Sequence, residues 1–264
     1  MLFRNIVFYA LLAGVVAGIA VSVAQSFQVV PIIKAAEAYE RAAADETQVL
    51  IPSVQAAQHH AAGGEEAWAP KDGIERTAFT ALSNSLTAIG FALLLIGAMM
   101  ASLALGSGEA AMRRWWYGLA WGLGGYVVFW LAPAIGQPPE IPLQAAGALG
   151  ARQSWWVLAV VCTAAGLAGL LFGRSPWRWA APVLLIVPHL VGAPHPEGVM
   201  FPDQTPQAAA ALELLARQFI GATAIANAVL WLALGLVSAW SVRRIHGAIG
   251  SGLTGQRDPE PFST

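Results

Sequence analysis

Charge is what this sequence has least of. Only 11% of its 264 residues are Asp, Glu, Lys or Arg, against 57% hydrophobic residues. A soluble globular domain carries about 25% charged residues, so an ordinary soluble fold is excluded. Cysteine is nearly absent. Cys162 stands alone in an apolar stretch, which leaves no intramolecular disulfide and no cysteine-based metal knuckle. It reads as a small packing residue. The net charge of -1, with no basic stripe, gives no footprint for nucleic acid. The chain holds no GxxxxGK[ST], HExxH or GxSxG motif. P-loop hydrolysis has no place here, and nothing marks an enzyme's active site.

What is present is a series of charge-free runs: Ile6–Val30, Ala78–Leu105, Trp115–Ile135, Ser154–Gly173 and Phe219–Val242. A spanning helix needs roughly 20 apolar residues, because each adds about 1.5 Å to a hydrocarbon core about 30 Å thick. The sequence therefore predicts an all-α integral membrane bundle. A shorter segment, Trp179–Val191, contains Pro182 and Pro188. If it crosses, Arg4, Arg113, Arg114, Arg174, Arg178, Arg243, Arg244 and Arg257 share one side. Lys34, Arg41, Lys71, Arg76, Arg152 and Arg217 share the other. The positive-inside rule then predicts six spans with both termini cytoplasmic, five spans being the alternative. Ser22-Val23-Ala24 resembles a signal-peptidase site, but the apolar run continues to Ile33, so the first segment is expected to stay as a helix. Residues 1–249 read as one transmembrane domain with an outer loop at about 34–77, and 250–264 as a flexible cytoplasmic tail.

Small residues four apart, Gly14/Gly18, Gly118/Gly122 and Ala165/Gly169/Gly173, predict close helix packing. Trp115, Trp116, Tyr117, Trp155, Trp156, Trp177 and Trp179 lie near span ends and read as an interfacial aromatic belt. A weak repeat also runs through the chain. Leu131–Pro139 can be laid over Val187–His195; each leads to a glutamate, Glu140 or Glu197, and then to Ala-Arg-Gln at Arg152 or Arg217. The first connection echoes this with Pro31, Glu37 and Arg76. Three helical hairpins of one type, each with an arginine heading its return helix, are the expectation.

No Asp or Glu lies inside an apolar run, so a carboxylate proton relay is not in view. Candidate chemistry sits on the outer face. Glu37 and Glu40 share one side of an Ala-rich helix, either as a solvated face with Glu37 paired to Arg41 or as oxygen ligands. His59 and His60 stand near Glu65 and Glu66, and imidazole with carboxylate suits divalent transition metals. His189 lies in the proline-containing apolar segment, followed by His195. Asn84 and Asn227 are polar groups within spans, available to a transport path. Arg76, Arg152 and Arg217 would repel a dication, and are expected to pair with acidic residues or cap the outer rim.

These residues resemble, in order, the CbtA-type cobalt-transporter subunits. The likeness runs through Pro31-Ile-Ile, Glu37-Ala-Tyr39-Glu40, His59-His60 and Trp68–Thr77. It continues through Asn84, Thr87–Leu93, Leu131–Glu140, Ala151–Trp156 and Pro188–Pro194. The resemblance implies a bacterial cytoplasmic-membrane subunit of a cobalt uptake system, working with a small single-span, His-containing CbtB-type subunit. A homo-oligomer is left open. Co²⁺ is the implied transported ion, with no permanently bound cofactor. The implied path runs from the acidic, His-bearing outer loop to His189. The family is usually described with five spans. Two other readings stand beside it: an anion or small-molecule permease using the outer arginines, and a non-transporting membrane scaffold.

Overall fold

The computed structural model describes residues 2–50, 70–106, 108–173, 177–196 and 198–254. His59, His60, Glu65, Glu66, Arg174 and Glu197 lie outside them, as does the tail from residue 255. The described residues form helices and connecting turns, with no strand. They comprise α1 (Leu2–Leu50), α2 (Ile74–Ala104), α3 (Glu109–Met112) and α4 (Tyr117–Tyr126), then a π turn (Val127–Leu131). After it come α5 (Ala132–Gly136), α6 (Leu149–Phe172), α7 (Trp177–Val191) and α8 (Pro206–Thr254).

Five helices are long and apolar enough to cross a bilayer: Leu2–Ala43, Ile74–Ala104, Tyr117–Gly136, Leu149–Phe172 and Pro206–Ala248. Each matches one charge-free run. α1 continues without a break past Pro31 and through the expected outward extension. A proline inside a membrane helix is tolerated where neighbouring groups take up the freed backbone carbonyl. α8 likewise continues through Thr254, beyond the residue-250 boundary read from composition.

α7 is the sixth apolar helix. Its 15 residues give a rod of about 22 Å, shorter than the roughly 30 Å hydrocarbon core. Pro182 and Pro188 lie inside it without interrupting it. The third span behaves differently. Pro133 has no N–H for the carbonyl four residues back, and the helix widens into a π turn directly before it.

The contacts divide into two units. The first comprises Met1–Val21, Ala81–Tyr126 and Ala228–Thr264. Here Gly14 and Gly18 face the backbone of Ile89 and Ser85, while Gly118 and Gly122 face Gly235 and Trp231. Any β-carbon at these positions would run into the neighbouring helix. Phe91 packs on Trp231 with ring centroids 4.9 Å apart. Ile96, Met99, Leu234, Val242 and Ile245 fill the interior. The connection between α2 and α4 is fastened to α8 by Arg243, whose Nε donates to the Met112 carbonyl at 2.8 Å and whose Nη2 donates to the Arg114 carbonyl at 2.9 Å.

The second unit comprises Ser22–Thr80 and Val127–Asn227. α6 and α7 form an antiparallel pair in it. Gly166 and Gly169 of α6 receive Leu185 and Ala181 of α7. Ala165, expected in this contact, is exposed instead; the contacting residues are spaced by three, not four. The aromatic belt also needs correction. Trp115 and Trp179 are 77% and 79% exposed, but Tyr117 and Trp155 are each only 4% exposed and belong to the interior.

Candidate functional site

The second unit holds most of the chemistry. Arg76, in the first turn of α2, reaches across to Glu37 of α1. Its Nη2 donates to Glu37 Oε1 at 2.5 Å and its Nη1 to Oε2 at 3.2 Å, a two-pronged guanidinium–carboxylate pair. Nη1 also donates to Asp72 Oδ1 at 3.0 Å. Glu37 thus pairs with Arg76 rather than with Arg41, the partner one turn away. Arg41 instead donates through Nε to the Glu37 backbone carbonyl at 3.3 Å. The Arg76 hydrogen bond, followed by the charge of Lys34, holds the exposed Asp72 carboxyl below its ordinary range. Glu40 is exposed.

The same device recurs at the head of α6, where Arg152 Nη2 lies 2.7 Å from Glu140 Oε2. Both groups are half-buried. Glu140 comes from the connection after α5, which is tied in turn to the connection before α8. There the Ala145 N–H donates to the Met200 carbonyl at 2.9 Å. Gly147 lies beside the Arg152 stem and the backbone of Pro194 and His195. The His195 side chain is exposed. Arg217, the third arginine of the repeat, is exposed and forms no ion pair among the described residues. It lines a recess of about 110 Å³ with Pro138, Pro139, Gln144, Met200 and Glu213.

Trp155 joins the elements around His189. Its buried indole N–H donates to the Pro188 carbonyl at 3.0 Å. That carbonyl also accepts the Gly192 N–H at 3.1 Å, closing the end of α7. The Trp155 ring fills the space over Gly136 beside Ala193, and meets the His189 ring edge-on, with centroids 6.2 Å apart. His189 is half-buried, and neither of its ring nitrogens hydrogen-bonds to a described residue. The π turn lies close by in this unit, where Phe129 packs on Trp156 at 6.4 Å.

Asn84 lies on α2 in the first unit, and Asn227 on α8 donates to the Thr223 carbonyl at 2.9 Å. Among the described residues, no three His, Cys, Asp or Glu side chains assemble into a metal site. Trp155 and the π turn escaped sequence reasoning. Trp155 looked like one more belt tryptophan, and only Pro133, with its missing N–H, signalled the π turn.

Two half-buried arginines paired with carboxylates, an apolar helix carrying a histidine, and at least five membrane-length helices describe a multi-pass membrane protein. No curated protein and no solved structure gives a significant match to the chain. A family model described as "Probable cobalt transporter subunit (CbtA)" matches residues 3–243, all of the helical framework except the end of α8. The chain belongs to the CbtA family of probable cobalt transporter subunits.

Proposed function

We propose that this protein is the membrane subunit of a cobalt uptake transporter in which His189 is a ligand along the ion's path. The observation that carries the reading is His189 itself. It is a half-buried imidazole on an apolar helix, fixed by Trp155 and hydrogen-bonded to no described residue. A polar ring placed in an apolar setting without a partner is unfavourable, and imidazole is a good ligand for divalent transition metals. Pro188 adds a second feature. It can donate no N–H, so the Leu184 carbonyl loses its helical partner. Freed carbonyls at membrane depth commonly serve ion paths.

In this reading the outer loop, with His59, His60 and the exposed Glu40, concentrates the dication before it reaches His189 and His195, whereas Glu37 is held by Arg76 and is not a ligand. The binding of Arg76 and Arg152 by Glu37, Asp72 and Glu140 removes most of the repulsion that bare guanidiniums would impose. The same pairing argues against an anion permease, since two of the three outer arginines already hold carboxylates. The chain works in the bacterial cytoplasmic membrane with both termini inside. Its partner is a small single-span CbtB-type subunit. Selectivity for cobalt does not follow from ligand type, since Ni²⁺ and Cu²⁺ stand above Co²⁺ in the affinity order.

Cobalt binding to the purified chain tests this directly. Ligand-field absorption should develop on Co²⁺ titration of the wild type and weaken in His189→Ala, with an equal thermal midpoint for the two proteins. Identical spectra would remove His189 from the path.

A further inference from the structure

The first unit carries a cluster of positive charge that the transport reading does not use. Arg113 and Arg114 lie on the connection between α3 and α4, and Arg243 and Arg244 lie on α8. The two pairs are brought together by Arg243, whose guanidinium holds the carbonyls of Met112 and Arg114. Those carbonyls satisfy its donors but do not neutralise its charge. All four arginines are exposed, and none meets a carboxylate among the described residues. The nearby Glu109 carboxylate faces His246 at 4.0 Å. Arg244 lies over the Trp240 ring, 5.4 Å from its centroid, a cation–π contact that orients its guanidinium.

The surroundings identify the counter-charge. Trp115 and Trp116 follow Arg114 directly, and both are exposed. The span that follows begins at Tyr117. On α8 the charge-free run ends at Val242, one residue before Arg243. The four guanidiniums therefore stand at the ends of apolar spans, at the depth of the headgroups, beside indoles of the kind that settle at that level. Arginine's planar fork matches phosphate oxygens in a two-pronged way. We propose that Arg113, Arg114, Arg243 and Arg244 form a binding site for the phosphate of an anionic phospholipid headgroup, with Trp115 and Trp116 seated in the adjoining interface. A bound lipid would brace the α2–α4 connection against α8 by neutralising both arginine pairs at once.

The test uses the full chain in nanodiscs of phosphatidylcholine containing a trace of spin-labelled lipid. The immobilised fraction is compared for phosphatidylglycerol and phosphatidylcholine labels at fixed salt. Each basic residue at an anionic surface contributes about fivefold in association. The expected result is a clear phosphatidylglycerol preference in the wild type. It should fall by roughly fivefold or more in Arg113→Gln/Arg114→Gln, and also in Arg244→Gln. The thermal midpoint in pure phosphatidylcholine serves as the folding control. Arg244→Gln leaves the Arg243 clasp intact and provides the result if the double variant does not fold. Equal immobilisation of the two labels would overturn the assignment. So would a preference that survives in a folded variant. Loss of the preference on adding millimolar inorganic phosphate at constant ionic strength would assign the cluster to a soluble anion and overturn the lipid site.

Discussion

Arg152 and Glu140 are half-buried partners on segments close in sequence, whereas Arg76 and Glu37 meet across 39 residues. Exposed ion pairs contribute about 0.2–1 kcal/mol, and breaking a buried one costs about 3–5 kcal/mol. These pairs lie between, so Arg152→Ala or Arg76→Ala is expected to destabilise by about 1–2 kcal/mol. A double-mutant cycle with Glu140→Ala or Glu37→Ala, followed by thermal melting in detergent, measures the coupling. Asp72 behaves by its own sign rule. Its carboxyl is held low in the folded chain, so its contribution is present at neutral pH and is lost only as pH falls below the ordinary carboxylate range. Trp155→Phe keeps an aromatic ring but removes the N–H to Pro188 and thins the indole packing over Gly136, a loss of at least about 1 kcal/mol. Trp155→Ala also empties the space over Gly136 and costs about 3–5 kcal/mol. Co²⁺ titration of the folded Phe variant should show weaker binding if ring placement governs His189. At this scale the sequence was only partly readable. Charge and spacing pointed to arginines paired with acids. The choice of Arg76 over Arg41 for Glu37 was not readable, because an adjacent-turn partner is always in reach on paper while a cross-helix one depends on packing.

The helices themselves were legible because charge is so costly in hydrocarbon that each span announces itself by its absence. Helix contacts were less so. Glycine spacing located the close approaches at Gly14, Gly18, Gly118 and Gly122, yet it chose Ala165 where Gly166 does the packing. Space decides which glycines matter. Gly18→Val is expected to force α1 from Ser85 and lower the thermal midpoint sharply. Gly90→Ala, on α2 with nothing within 4 Å of its missing β-carbon, should be neutral or stabilising by about 0.5–1 kcal/mol through helix propensity. The π turn gives a different contrast. Pro133→Ala restores an N–H and lets the third span return to α-helical register. The expected outcome is an unchanged or higher melting temperature with lower cobalt uptake, because the π turn shapes the unit that carries His189. An uptake rate equal to that of the wild type would separate the turn from function.

For the whole molecule, composition sufficed for the membrane bundle, and ordered local matches sufficed for the CbtA family. For α7, composition carried the short length but not the partner it packs on. Its apolar character predicts a sixth span, and its 15 residues form an unbroken helix that packs on α6 through Leu185 and Ala181 and carries His189. The three-hairpin pattern is matched in two places by the same arginine–carboxylate pair, while Glu197, the third acid, lies outside the described residues. We propose that this chain brings cobalt into the cell by way of His189. The most direct measurement is cell-associated cobalt and nickel by mass spectrometry, with and without the chain, co-expressed with its single-span partner. His189→Ala and His59→Ala/His60→Ala are run beside it at matched membrane levels. The expected result is a cobalt rise that His189→Ala abolishes. No rise with both proteins in the membrane, or a rise that His189→Ala leaves intact, would contradict it.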